Sequence, residues 1–344
     1  MSTGGSNATK RVTLRDIARL AQVSVATVSR VLNNQPYVDD VTREAVRRAA
    51  EELEYPLKNL RRPLQTTQKV VLLNREQSLP ASRDINILGG IDRLMALGAQ
   101  SFLEEQCTAT SVRRSHMRPD EAWEYANDPD VSGLILLGGV HDHGFVRALQ
   151  TAGLPFVVAG AHLRPLEVNC VMANYIQGME QAVAHLVERG RRRIGLVNGP
   201  PTTNTSEEKY KGLRLALSLH GLPFAPEQVV AGDFLSEAGH AKTLELLART
   251  PDLDAIIYCD DVAAVGGLSA LKERGRRVPD DVAVIGFHDY DIARFTDPPL
   301  TSVHFDMRLM GVMAARRLCM MMDDSDDQNW FMLVPTSLMV RGST

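Results

Sequence analysis

From Lys69 onward, short apolar runs rich in β-branched residues alternate with stretches of helical periodicity, and few folds accept that alternation. The runs are Val70 to Leu73, Leu134 to Leu137, Phe156 to Ala159, Ile194 to Val197, Ala255 to Tyr258 and Val282 to Phe287. Helical patterns lie between them near residues 85–97, 177–189, 207–220, 237–248 and 262–274. A run that is apolar at every position has no face for solvent, so it must be covered on both sides, and the intervening helices supply the cover. The expectation is a parallel sheet wound on both faces. About 275 residues is long for one such sheet and suits two, so two lobes are expected.

The residues before Lys69 obey a different rule. Thr13 can cap a first helix with Asp16 three residues on, and Leu14, Ile17, Ala18 and Ala21 fall on one face. Ser24 can cap a second, with Val25, Val28 and Leu32 turned inward, and Asp39 a third carrying Val46, Ala49, Ala50 and Leu53. Periodicity alone leaves a helix-turn-helix and a generic three-helix bundle both open. Charge adds a bias, because residues 1–69 hold 12 Lys and Arg against 7 Asp and Glu, whereas the remainder is net acidic. A basic end on an acidic body is the layout of a nucleic-acid-binding unit joined to a regulatory one.

The wording of the first segment is specific. Val12-Thr-Leu-Arg-Asp-Ile-Ala-Arg-Leu-Ala-Gln-Val-Ser-Val-Ala-Thr-Val-Ser-Arg-Val-Leu-Asn33, followed by Val41-Thr-Arg-Glu-Ala-Val46 and Leu53-Glu-Tyr55, resembles the headpiece of the LacI/GalR family of bacterial repressors. The resemblance implies that Ser24 to Leu32 is a recognition helix for the major groove of a pseudo-palindromic operator bound by a homodimer. Side-chain chemistry then distributes roles. Arg30 can pair with O6 and N7 of guanine, and Val25 and Ala26 offer apolar contact to bases. Thr13, Ser24, Thr27, Ser29 and Asn33 suit phosphate or sugar contacts. In the family a hinge follows whose leucine wedges into the minor groove. Here residues 57–68 depart from the pattern: the wedge aligns with Leu64, Arg61 stands where alanine is usual, and Pro63 opposes a helix. Either a shorter helix uses Leu60, or the linker is extended and Arg61 and Arg62 reach the groove.

The body carries the same resemblance in Gly190-Arg-Arg-Arg-Ile-Gly-Leu-Val-Asn-Gly199, Asp260-Asp-Val-Ala-Ala-Val-Gly266, Val278-Pro-Asp-Asp-Val-Ala-Val-Ile-Gly-Phe287 and Val334-Pro-Thr-Ser-Leu-Met-Val-Arg-Gly-Ser343. It implies two doubly wound, periplasmic-binding-protein-like lobes, residues 69–167 plus 300–329 and 168–299 plus 330–344, joined by three crossings near 166–170, 298–301 and 328–332. An all-α headpiece at 11–56 and a tail at 1–10 precede them. The cleft between the lobes would hold a small-molecule effector, with Phe234 as a stacking aromatic or as lobe core. Lys209 stands in place of arginine, and Thr203, Thr205 and Asp261 are polar contacts. Arg83 and Asp84 face them from the other lobe. Gly160, Ala173 and His288 stand where aspartate is common, which points to a sugar acid or phosphate, or to a cleft without an effector.

Other functions find little support. His141-Asp-His143 lacks a third ligand, four scattered cysteines form no zinc or disulfide pattern, and no GxGxxG loop is present. Asp323 to Asp327 lacks the glycine and glutamate of a calcium loop. No cofactor and no enzymatic constellation is expected. An absent signal peptide and absent membrane-length apolar run suggest the cytoplasm and argue against the alternative, a solute-binding transport component. Without C-terminal leucine heptads, a dimer is expected.

Overall fold

The structure is a computed structural model that describes residues 14–32, 38–53, 69–75, 90–106, 108–139, 141–323 and 328–344. The chain divides into two compact units, Met1–Thr67 and Gln68–Thr344. In the first, helices α1 (Leu14–Leu20), α2 (Val25–Leu32) and α3 (Asp40–Glu52) close over Ile17, Ala18, Val28, Val31, Val46, Ala49 and Ala50. Helix α1 stops where Gln22 takes a φ of 52°. Ser24 then starts α2, its Oγ accepting the Thr27 amide at 3.0 Å, and Asp39 starts α3 by accepting the Thr42 amide at 2.9 Å. Each cap is worth about 1 kcal/mol and fixes where its helix begins. Thr13, the expected cap of α1, lies outside the described residues, as do Asn33 and the whole hinge with Leu60, Arg61 and Leu64.

The second unit holds two six-stranded sheets. The first runs in the order β11 (Phe331–Val334), β5 (Cys170–Ala173), β4 (Phe156–Ala159), β3 (Val131–Leu137), β1 (Lys69–Arg75), β2 (Ala109–Ser115), all parallel. The second runs β12 (Ser337–Met339), β10 (Thr301–His304), β9 (Ala283–Phe287), β8 (Ala255–Tyr258), β6 (Ile194–Asn198), β7 (Val229–Ala231), with only β12 antiparallel to its neighbour. Side chains alternate across a strand, so Val70 and Leu72 enter one core while Val71 and Leu73 enter another. Helices α4 (Ile91–Glu105) and α11 (Met307–Met322) cover the first face of sheet one, and α5 (Pro119–Asn127) and α6 (His143–Ala152) the second. Around sheet two, α7 (Tyr175–Glu188) pairs with α8 (Asn204–Leu219), and α9 (Ser236–Arg249) with α10 (Asp261–Glu273).

Within two of these pairs the backbones nearly touch. A Cβ on Gly98 of α4 would run into the Arg308 carbonyl oxygen, and one on Gly311 of α11 into that of Met95. Gly239 of α9 and Gly266 of α10 meet the backbones of Ala263 and Ser236 in the same way. The sheet memberships set the three crossings between β5 and α7, between β10 and α11, and between β11 and β12, several residues after 166–170, 298–301 and 328–332. Short strands explain the difference: Cys170–Ala173, Thr301–His304 and Phe331–Val334 each extend their own lobe by four residues before the chain leaves it.

Candidate functional site

The carboxyl ends of parallel strands are where an α/β sheet leaves room for a ligand, because the following helices begin there with free amides. In the second lobe that edge is built by Cys259-Asp260-Asp261 after β8, by His288-Asp289-Tyr290 after β9, and by Lys209 one turn into α8. Asp260 caps α10, its Oδ1 accepting the Ala263 amide at 2.7 Å. Burial pushes its carboxyl up to about 6, against the lowering by that amide and by the Lys209 ammonium. Asp261 is wholly buried, and both oxygens are engaged: Oδ1 accepts the Ser302 hydroxyl at 2.6 Å and Oδ2 the Tyr290 amide at 2.7 Å. Asp261 therefore ties α10 to β10 and to the loop after β9.

Lys209 is also buried, at 1% exposure. Its ammonium donates to the Cys259 carbonyl at 2.8 Å and lies 4.7 Å from the centre of the Tyr175 ring and 4.9 Å from that of Phe287. Burial lowers its pKa, while the neighbouring Cys259, Asp260 and Asp261 act in the opposite sense. His288 takes a φ of 93° that carries its ring onto Tyr290, at 5.0 Å and 26°, with Phe305 edge-on at 5.4 Å. Burial, reinforced by the Lys209 charge, holds its imidazole well below the usual histidine range, so it is neutral at pH 7. Its Nδ1 has no hydrogen-bond partner among the described residues.

The first lobe meets this surface at two places. Asp92, in the first turn of α4, hydrogen-bonds Asn74 of β1, and the Ile91 amide donates to the Tyr290 phenol. Burial raises the Asp92 carboxyl; the residue keeps some surface as a whole, but its Oδ1 is sealed from solvent and unpartnered among the described residues. Farther along, the loop after β4 reaches α8. The His162 amide donates to Asn204 Oδ1 at 3.2 Å, the Asn204 amide group lies 2.8 Å from His162 Nε2, and Glu208 Oε1 stands 3.4 Å from the same ring nitrogen.

Of the residues expected in the cleft, Lys209, Asp261 and His288 come together. Thr203 caps α8: its Oγ1 donates to the Pro200 carbonyl and receives the Ser206 amide. Thr205 is half-buried beside Gly139 of the other lobe. Phe234 is half-buried against the second lobe's core, so near Gly199 that a Cβ there would stand 2.6 Å from its ring. Arg83 and Asp84 lie outside the described residues. Gly160 is glycine for backbone reasons, with a φ of 116° and Gly138 O only 3.0 Å from where a Cβ would be. Among the described residues the charge at this edge is mixed: His288 is neutral, and the Lys209 ammonium faces the buried carboxyls of Asp260 and Asp261, while Arg83, the other expected cation, lies outside them. Asp92, Asp260, Tyr175 and Tyr290 were not read from the sequence. Only Asp260 and Tyr290 carried a signal, as neighbours of residues that were.

On the headpiece, Ser24 and Thr27 share a 2.8 Å hydroxyl contact at the start of α2, and Val25 beside them is 42% exposed. Ala26, Ser29 and Arg30 lie on the same helix.

Two family profiles match this chain: "Bacterial regulatory proteins, lacI family" over residues 13–56 and "Periplasmic binding protein-like domain" over 183–344. The HTH-type transcriptional regulator CelR of Thermobifida fusca is 35% identical, over 97% of this chain and 98% of that protein. The chain belongs to the LacI family. Another LacI-family relative, the HTH-type transcriptional repressor CytR of Escherichia coli K12, is 29% identical, with 96% of each chain covered. Among solved structures, a transcriptional regulator CelR–cellobiose complex superposes with a TM-score of 0.74 at 33% identity, covering 97% of this chain and all of that one. The lac repressor dimer bound to operator and the anti-inducer ONPF shares the fold, at a TM-score of 0.69 and 24% identity. As a LacI-family member the chain is a DNA-binding transcriptional regulator rather than an enzyme. Among the described residues no group of three His, Cys, Asp or Glu could hold a metal, and no helix is long and apolar enough to cross a membrane. His141 is spent on the fold, its Nε2 2.8 Å from the Gly138 carbonyl, and burial pushes it down to about 4.

Proposed function

We propose that this chain represses transcription as a homodimer on a pseudo-palindromic operator, and that a small hydroxyl-bearing effector of the sugar class, bound between the lobes, sets its affinity for DNA. The observation that carries the reading is the polar set at the cleft, half-buried Asp92 from one lobe and buried Lys209, Asp260 and His288 with half-buried Tyr290 from the other, in a chain that begins with a helix-turn-helix. Donors and acceptors of both kinds, with aromatic rings between them, suit hydroxyls and the apolar faces of a sugar ring. The cellobiose complex of the CelR structure supports a saccharide as the first ligand to try.

The experiment is a gel shift with the DNA upstream of the gene, repeated with cellobiose and a panel of sugars, and light scattering for the dimer. Arg30→Ala should cost roughly twice the 1–3 kcal/mol of one bidentate guanine contact, since a dimer uses the residue in both half-sites. Specific binding that survives this change would remove Ser24 to Leu32 as the recognition helix. A protein that binds sugars and ignores DNA would restore the solute-binding alternative.

A further inference from the structure

We propose that Asp92 is a specificity-determining residue of the effector cleft: its Oδ1 accepts a hydroxyl from a neutral, hydroxyl-rich ligand and turns anionic ligands away. The inference rests on the reading that the cleft holds a small effector, and it adds the ligand's charge and the residue that selects for it.

The first ground is hydrogen-bond accounting. A buried carboxylate oxygen left without a donor is expensive, and native structures keep few of them. Asn74 supplies one bond to the Asp92 carboxyl, and nothing among the described residues reaches Oδ1. Oδ1 is held at the carboxyl edge of the first sheet. Asn74 is the sixth residue of β1, and Gly138, which follows β3 with a φ of 97°, stands so close that a Cβ on it would lie 3.2 Å from Oδ1.

The second ground is what faces it. Tyr290 of the other lobe receives the Ile91 amide, one residue from Asp92, and the Asp92 charge bears on both Tyr290 and Tyr175. Tyr175 in turn covers the Lys209 ammonium, and Tyr290 carries the His288 ring. Asp92 therefore shares its two tyrosine neighbours with Lys209 and His288. His288 Nδ1 is the matching orphan on that side. A ligand with two hydroxyls, one donated to Asp92 Oδ1 and one shared with His288 Nδ1, would satisfy both buried atoms and bridge the lobes.

The third ground is charge. Among the described residues, an anion placed here would meet Asp92, Asp260 and Asp261 with the Lys209 ammonium to offset them, in surroundings where like charges repel far more than in water. A neutral hydroxyl brings no such repulsion and supplies the donor that Oδ1 lacks. A site built around such an acceptor also discriminates against ligands that lack the donor, because the acceptor is then left bare.

The test is calorimetric titration of the full chain with cellobiose, glucose and glucuronate, on wild type, Asp92→Asn and Asp92→Ala, with melting curves as a folding control. Asp92→Asn is nearly isosteric and keeps the Asn74 contact, so it stays informative where alanine fails to fold. The expected result is that a neutral sugar binds wild type, that Asp92→Ala weakens it 10- to 100-fold, and that Asp92→Asn weakens it less while improving glucuronate. Wild-type affinity for the neutral sugar in both variants overturns the role of Asp92 alone. Glucuronate binding wild type more tightly than the neutral sugars overturns the charge preference. A wild type that binds its DNA but none of the three probes overturns the effector reading together with this one.

Discussion

A carboxyl that burial has pushed up to about 6 holds its proton more firmly in the folded chain than in the unfolded one, and Asp260 is such a group. Between about pH 4 and 6 its folded form binds more protons than its unfolded form, so its contribution makes stability fall as pH rises through that window. Asparagine keeps the acceptor for the Ala263 amide and removes the titration. Asp260→Asn is therefore expected to gain on the order of 2 kcal/mol at pH 7, with the gain fading toward pH 4. Calorimetric melting across that range checks the sign, and parallel curves for the two proteins would refute it. The residue shows where sequence reading stops. Lys209, Asp261 and His288 were legible because each occupies a motif position. Asp260 also explains itself as a helix cap, and an acid in the first turn of a helix, as Asp92 is, is favoured anyway by the helix dipole. A residue with a sufficient local explanation does not advertise a second role. Only the hydrogen bonds of the folded chain show that Asp92 Oδ1 lacks a donor among the described residues.

Paired helices in this fold approach until only glycine fits, as at Gly98 and Gly311 in one lobe and at Gly239 and Gly266 in the other. Gly311→Ala would drive a methyl into the Met95 backbone, which has no free end to swing aside. The expected loss is about 3 kcal/mol, at the upper end for overpacking, because backbone rather than a side chain must move. Urea unfolding of the body measures it, and a loss below about 1 kcal/mol would mean that the two helices can slide apart. These crossings were invisible in the sequence for a simple reason. Gly98 and Gly311 lie on elements at opposite ends of the second unit, and a single glycine in a helical pattern does not name its partner. Strands divided on the same principle. Phe156–Ala159 and Ala255–Tyr258 were read to the residue because every position is apolar and buried. Strand β2, Ala109–Ser115, went unread, since an edge strand carrying Arg113 and Arg114 lacks both a continuous run and a clean alternation.

Between the lobes, the His162, Asn204 and Glu208 cluster is a contact that either opening or closing must break or make. His162→Ala removes one side of it without touching the cleft. In the absence of effector this variant is expected to scatter X-rays as a more open body, and to bind effector about 5- to 30-fold more weakly, the equivalent of one or two net hydrogen bonds. Identical scattering profiles would show that the contact does not hold the lobes. The division into headpiece and body was legible because composition and period both change near Lys69. The lobe limits were not, since a chain leaves a sheet without any change of composition. The crossings also have a consequence in time. The first lobe receives β5 by residue 173, but α11 begins only at Met307, after the second lobe's sheet is almost entirely made. At roughly 5–20 residues per second, a ribosome needs on the order of ten seconds to cover that interval. Throughout it, the sheet face that will receive Leu318 and the glycine step on α4 stand open to water. The lobe of this protein that is translated first is the one that waits longest for its last helix.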